Sequence, residues 1–211
     1  MQDEHDPQAV LAAVPRPDAV RVVTPANEYG VVAAAALAEQ WGLPGATLGA
    51  ALVLRDKLRL RMRCRTAGIP QPAFREAFGA RDVRVFRELH GGVCVLKPTN
   101  RQGSLVVLPL GPDDGLGAAW AECVADEAPL RRPKRALPTR YLVEERLTGE
   151  EVSTEALVHR GEVVFVNVTA KRVQSARRPV ELGHVVPTGL PADLLARLTG
   201  RLVEATGFAS A

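Results

Sequence analysis

Two apolar runs near the middle of the chain, VCVLKP over residues 93–98 and LVVLPL over residues 105–110, restrict the fold more than any other feature. Each has the length of a strand. The first ends at Pro98, and proline has no N–H with which to continue a ladder, so that strand stops there. Helical stretches alternate with such runs along the rest of the chain.

DPQAVLAAV offers Asp6 as an N-cap and Pro7 at the first helical position, and PRPDAVRVVTP isolates a short strand over residues 20–23. NEYGVVAAAALAEQWGLPG follows as an alanine-rich helix stopped by Gly42, completing one strand–loop–helix unit. RDKLRLRMRCRTAGIPQP places Leu58, Met62 and Ile69 near helical spacing, with arginines on the opposite face and stops at Gly68 and Pro70. ARDVRVFRELHGG and PDDGLGAAWAECVADEA read as helices, and RYLVEERL as a strand. EEVSTEALVHRGEVVFVNVTAKR reads as a hairpin turned at residues 159–161. LPADLLARLTGRLVEATGF closes the chain as an amphipathic helix, with Leu194, Leu195, Leu198 and Leu202 on one stripe. The fold class is therefore α/β, with mixed and antiparallel sheets.

Composition narrows the function. The 211 residues are 46% apolar, enough for a real core. Net charge is +3, but acidic residues are interspersed and aromatics make up only 4%, which argues against a nucleic-acid surface. The connector APLRRPKRALPT reads as a solvated surface segment. No apolar run approaches membrane-spanning length, and MQDEHDPQAV lacks the basic and apolar regions of a secretory signal. Cys64, Cys94 and Cys123 lie far apart without CxxC spacing and read as buried thiols of a reducing compartment. A cytoplasmic protein without nucleic-acid or membrane partners is expected.

Of 27 basic side chains only four are lysines, at 57, 97, 134 and 171. Lys97 ends a strand and is followed by TNRQGS, so its ammonium, the loop amides and the Ser104 hydroxyl can close on a phosphate. Taken alone, a strand-end lysine is an ordinary solvated residue, and Lys57 belongs to a basic helix face. In YLVEERLTGEEVSTEALV, backbone at the first bend can read an adenine edge, and a carboxylate in the next strand can accept from ribose hydroxyls. A charged hairpin has the same appearance.

In this order the three cues resemble the ATP-grasp superfamily, from about Thr24 to the end of the chain. NEYGVVAAAALAEQWGLPG is similar to the end of the family's N-terminal domain, and RDK with AGIPQP to its entry helix. VLKPTNRQGS resembles the phosphate-covering lid, and YLVEERLTGEEVSTEALV the hinge and ribose strands. NVTAKR and VELGHVVPTGLP resemble the following strand and loop in the branch joining carboxylates, amino acids among them, to amines.

The resemblance implies a partial N-terminal α/β domain over residues 1–54 and an ATP-grasp domain over 55–211. Within the latter, a lid spans about 72–140 and an incomplete C-terminal core part 141–211. It implies ATP and magnesium as cofactors, with small-molecule carboxylate and amine substrates. Lys57 and Lys97, with Gly103 and Ser104, would meet the phosphates; Glu144, Glu145 and Leu147 would line the adenine; Glu151 would hold the ribose. Lys171 would reach the nucleotide from the far strand of the hairpin. His184 and Glu181 would stand beside the amino-acid pocket, the alternative for His184 being a loop histidine bonded to backbone. Glu155 reads as a solvated strand carboxylate. No catalytic residue and no metal ligand is assigned.

Two departures from the family pattern are visible. Arg101 and Val106 stand where the lid ordinarily has glycine, which lets backbone approach phosphate. The acid-bearing strand and asparagine that would complete a magnesium site are expected beyond Ala211. The expected activity is therefore ATP-dependent carboxylate–amine ligation through an acyl phosphate, by this chain or the protein of which it is the ATP-binding portion. The alternative is a truncated, non-catalytic nucleotide-binding module. A homodimer or a completing partner chain would cover a truncated sheet edge.

Overall fold

A computed structural model describes residues 6–101, 103, 106–125, 139–174, 180–186, 188–190 and 192–208. Four helices come first: α1 (Pro7–Ala13), α2 (Val31–Trp41), α3 (Leu48–Arg55) and α4 (Lys57–Thr66). Asp6 caps α1 by accepting from Gln8 N at 3.0 Å, with Pro7 at the first turn. Helix α2 ends where Gly42 takes a left-handed φ of 64°. Alanines 33–36 and Ala38 are buried because α2 packs between α1 and α3.

Residues 20–23, expected as a strand, form no ladder, and Val22 is exposed. A strand exists only by pairing, and prolines 15, 17 and 25 bracket this segment without a neighbouring edge to join. Among the described residues up to 55, the regular elements are therefore all helices. Helix α4 also differs from expectation. Met62 is 48% exposed, and Leu58, Arg61 and Cys64 form the inward-facing row, because Arg61 has a buried partner described below.

The first sheet has the order β1-β4-β2-β3, antiparallel throughout, from β1 (Phe74–Ala77), β2 (Cys94–Pro98), β3 (Leu108–Leu110) and β4 (Tyr141–Glu145). Helices α5 (Ala80–Leu89) and α6 (Leu116–Ala125) cover one face. Val83, Phe86, Cys94, Leu96, Cys123 and Val143 are core members there. Period-two alternation sends Val95, Lys97, Leu142 and Glu144 to the other face. The three cysteines are buried, and burial pushes the Cys94 thiol up to about 11. Among the described residues of the run LVVLPL only the last three pair, because Val106 leaves the extended region with φ 54°.

The second sheet, β5-β6-β7, consists of β5 (Val152–His159), β6 (Glu162–Gln174) and β7 (Val180–Val185). The hairpin turns at Arg160 and Gly161, as expected. Helix α7 (Ala192–Thr206) packs on β6, and Arg201 Nη2 ties it to α4 by donating to Gly68 O at 2.8 Å. Because β4 is hydrogen-bonded to β1 and β2, the passage between sheets falls at residues 146–151. Among the described residues no helix is long and apolar enough to cross a membrane.

Candidate functional site

On the face of the first sheet opposite α5 and α6, the register sets Lys97 opposite Leu142 and Val95 opposite Glu144, so Lys97 meets Glu144 on the diagonal. Glu144 is only 3% exposed. Its Oε1 accepts from Arg61 Nε at 2.6 Å, and its Oε2 takes the Lys97 ammonium. Burial alone would raise this carboxyl, but the Arg61 hydrogen bond and the Lys97 charge outweigh it and hold Glu144 below the usual glutamate value.

Beside this trio the start of α4 grips the segment that follows β2. Asp56 is the N-cap, accepting from Arg59 N at 2.9 Å. Its Oδ2 also accepts from the buried Thr99 hydroxyl at 3.0 Å and from Arg140 Nη2 at 3.2 Å. Burial works to raise this carboxyl too, and the Arg59 amide and Arg140 charge bring it below its ordinary value. Lys57 donates its backbone N–H to Thr99 O at 2.9 Å and its Nζ to Arg101 O at 2.7 Å. Arg55 Nη2 reaches Asn100 O at 3.3 Å. Three consecutive carbonyls are thus held by two cationic side chains and the first amide of a helix. Burial first, then the charges of Lys97 and Arg55, lower Lys57 to about 8.

Among the described residues the charge around Glu144 does not cancel. Arg61 and Lys97 share one carboxylate, Lys57 is met by neutral carbonyls, and Asp56 is matched by Arg140. This surplus of positive charge in a half-buried setting is suited to a polyanion such as a triphosphate.

Of the other expected site residues, Gly103 has φ 65°, and Ser104 lies outside the described residues. The Glu145 carboxylate accepts from Ala73 N at 3.2 Å, and Leu147 is 66% exposed at the start of the passage between sheets. Glu151, Lys171, Glu181 and His184 form a second group on the other sheet. Lys171 bonds Glu181 at 2.7 Å and lies 3.4 Å from Glu151, while His184 Nε2 is 3.6 Å from Glu181 Oε2. The Glu181 bond raises the Lys171 ammonium and lowers the Glu181 carboxyl. Glu155 is exposed but not simply solvated. It accepts from Ser153 Oγ at 2.6 Å, Thr169 Oγ1 at 2.9 Å and Asn167 Nδ2 at 3.1 Å.

Sequence reasoning missed Arg61, Asp56 and Thr99. Arg61 stands one helical turn after Lys57, a spacing that could have flagged it, and Asp56 stands at an N-cap position. Among the described residues, no group of three or more His, Cys, Asp or Glu can hold a metal ion.

Residues 91–209, more than half of the chain, match the ATP-grasp domain family. The chain superposes over 99% of its length on phosphoribosylglycinamide synthetase from Anaerococcus prevotii, with TM-score 0.65 and 18% identity, covering 50% of that chain. It superposes over 86% on L-amino acid ligase from Bacillus licheniformis (TM-score 0.66, 21% identity, 41% of that chain). D-alanine–D-alanine ligase from Bacillus anthracis gives TM-score 0.63 and 17% identity over 87% of this chain and 60% of that one. The chain thus spans about half the length of these proteins, and at such identities the likeness is one of fold. Because the matched residues run from β2 through α7 and hold Lys97, Glu144 and Lys171, the chain belongs to the ATP-grasp domain family.

Proposed function

We propose that this chain binds ATP and serves an ATP-dependent ligase that joins a carboxylate, an amino acid by our reading, to an amine. The observation that carries this is the surplus of positive charge that Lys57, Arg61 and Lys97 make around the Glu144 carboxylate among the described residues. In such a reaction a carboxylate oxygen attacks the terminal phosphorus and ADP leaves. The amine nitrogen then attacks the acyl carbon and inorganic phosphate leaves. Lys57 and Lys97 neutralise phosphate charge, while Gly103 and Ser104 belong to the segment that covers it. Glu144, Glu145 and Leu147 line the adenine, Glu151 takes the ribose, and Lys171 approaches from the second sheet. Glu181 and His184 hold the ends of the amino-acid substrate. The described residues do not provide a magnesium site, so no step is assigned to that ion.

The test is calorimetric titration with AMP-PNP, repeated for Lys97→Met, which should lose most of the affinity. A chain that binds no nucleotide, or a Lys97→Met variant that binds it equally well, refutes the reading. Release of phosphate that depends on added amino acids separates a working ligase from a module that only binds nucleotide.

A further inference from the structure

We propose that Arg61 is a positioning residue: it supplies the counter-charge to Glu144 and so leaves the Lys97 ammonium available to an anionic ligand. This rests on the nucleotide reading given above. A buried carboxylate must be neutralised, and Glu144 is almost fully enclosed. Were Lys97 its sole partner, the two charges would cancel, and drawing the ammonium toward a phosphate would strand a buried anion. With Arg61 on Oε1, Glu144 stays neutralised whatever Lys97 does, and the trio keeps one net positive charge.

Arg61 is equipped for that duty. Its guanidinium does not deprotonate. The helix beneath it is fixed by the buried Leu58 and Cys64, and Gln71 Nε2 donates to Arg61 O at 2.9 Å. Lys57 begins the same helix one turn earlier, so α4 presents one cation to the segment after β2 and a second to Glu144.

The experiment is calorimetric titration of the full chain with AMP-PNP and, separately, with inorganic tripolyphosphate. The proteins compared are the unmutated chain, Arg61→Gln, Arg61→Lys and the double variant Arg61→Gln/Glu144→Gln, each checked for folding by circular dichroism. Arg61→Gln is expected to weaken tripolyphosphate binding at least tenfold. The double variant, in which Lys97 no longer faces a carboxylate, should recover most of that loss, and Arg61→Lys should stay near the unmutated value. Undiminished binding by Arg61→Gln overturns the inference, as does a double variant no tighter than Arg61→Gln. If Arg61→Gln does not fold, loss of binding in Arg61→Lys overturns it instead. An unmutated chain that binds tripolyphosphate but not AMP-PNP refutes the nucleotide reading alone, and Arg61 is then judged on tripolyphosphate. Binding of neither refutes both.

Discussion

Arg61 and Lys97 hold opposite oxygens of one buried carboxylate, Glu144, although they come from a helix and a strand on different segments of the chain. Removing the carboxylate therefore leaves two cations facing each other. Glu144→Gln is expected to cost about 3 kcal/mol of stability, read by urea denaturation near neutral pH.

The same carboxylate makes the fold acid-sensitive. Glu144 is held below its ordinary value of 4.5, so its contribution is complete above that value and is lost as pH falls through the folded-state value. Urea midpoints measured downward from pH 5 should fall for the unmutated chain and fall less steeply for Glu144→Gln. Parallel slopes would show that other acids dominate.

Lys57 gives two pH effects of opposite sign. Its value in the folded chain is about 8 against an ordinary 10.5. Between these limits the unfolded chain keeps a proton that the folded chain sheds, so Lys57's contribution to stability rises with pH. Phosphate binding needs the charged form, so nucleotide affinity should decline above pH 8. In Lys57→Met that inflection should vanish from the titration curve.

Val106 places a β-branched side chain at φ 54°, a conformation that favours glycine, while its methyls are buried in the core. Any shortening loses burial, but only glycine relieves the backbone. Val106→Gly should therefore be more stable than Val106→Ala by about 0.5–1 kcal/mol, the reverse of the usual order in strands and helices. Chemical denaturation of the pair decides it.

Asp56 caps α4 and also accepts from Thr99 and Arg140. Asp56→Ala should cost about 1–2 kcal/mol through the cap, and Asp56→Asn less, because Asn also caps well. Thermal melting of the two variants tests the ranking.

Much of this fold was legible where a local rule decides it. Asp6–Pro7 and Gly42 marked helix ends, Gly161 marked the hairpin, and the runs around Lys97 and Val143 marked paired strands. Residues 20–23 misled because extended propensity cannot say whether a partner edge exists. Lys97 and Glu144 could be singled out by type and order, yet Arg61 hid in an alternation of leucine, methionine and arginine that suits a solvated face equally well. The grip on Thr99, Asn100 and Arg101 left no trace at all, since its acceptors are main-chain carbonyls that every residue has.

The contacts that build the site join distant parts of the chain: 83 residues separate Arg61 from Glu144, 84 separate Asp56 from Arg140, and 44 separate Lys57 from Arg101. Such contacts form only after long loops have closed, so the site should assemble late in folding. In a stopped-flow experiment, recovery of nucleotide binding would lag behind recovery of helical signal. Substitutions at Arg61 would then accelerate unfolding and leave the refolding rate nearly unchanged.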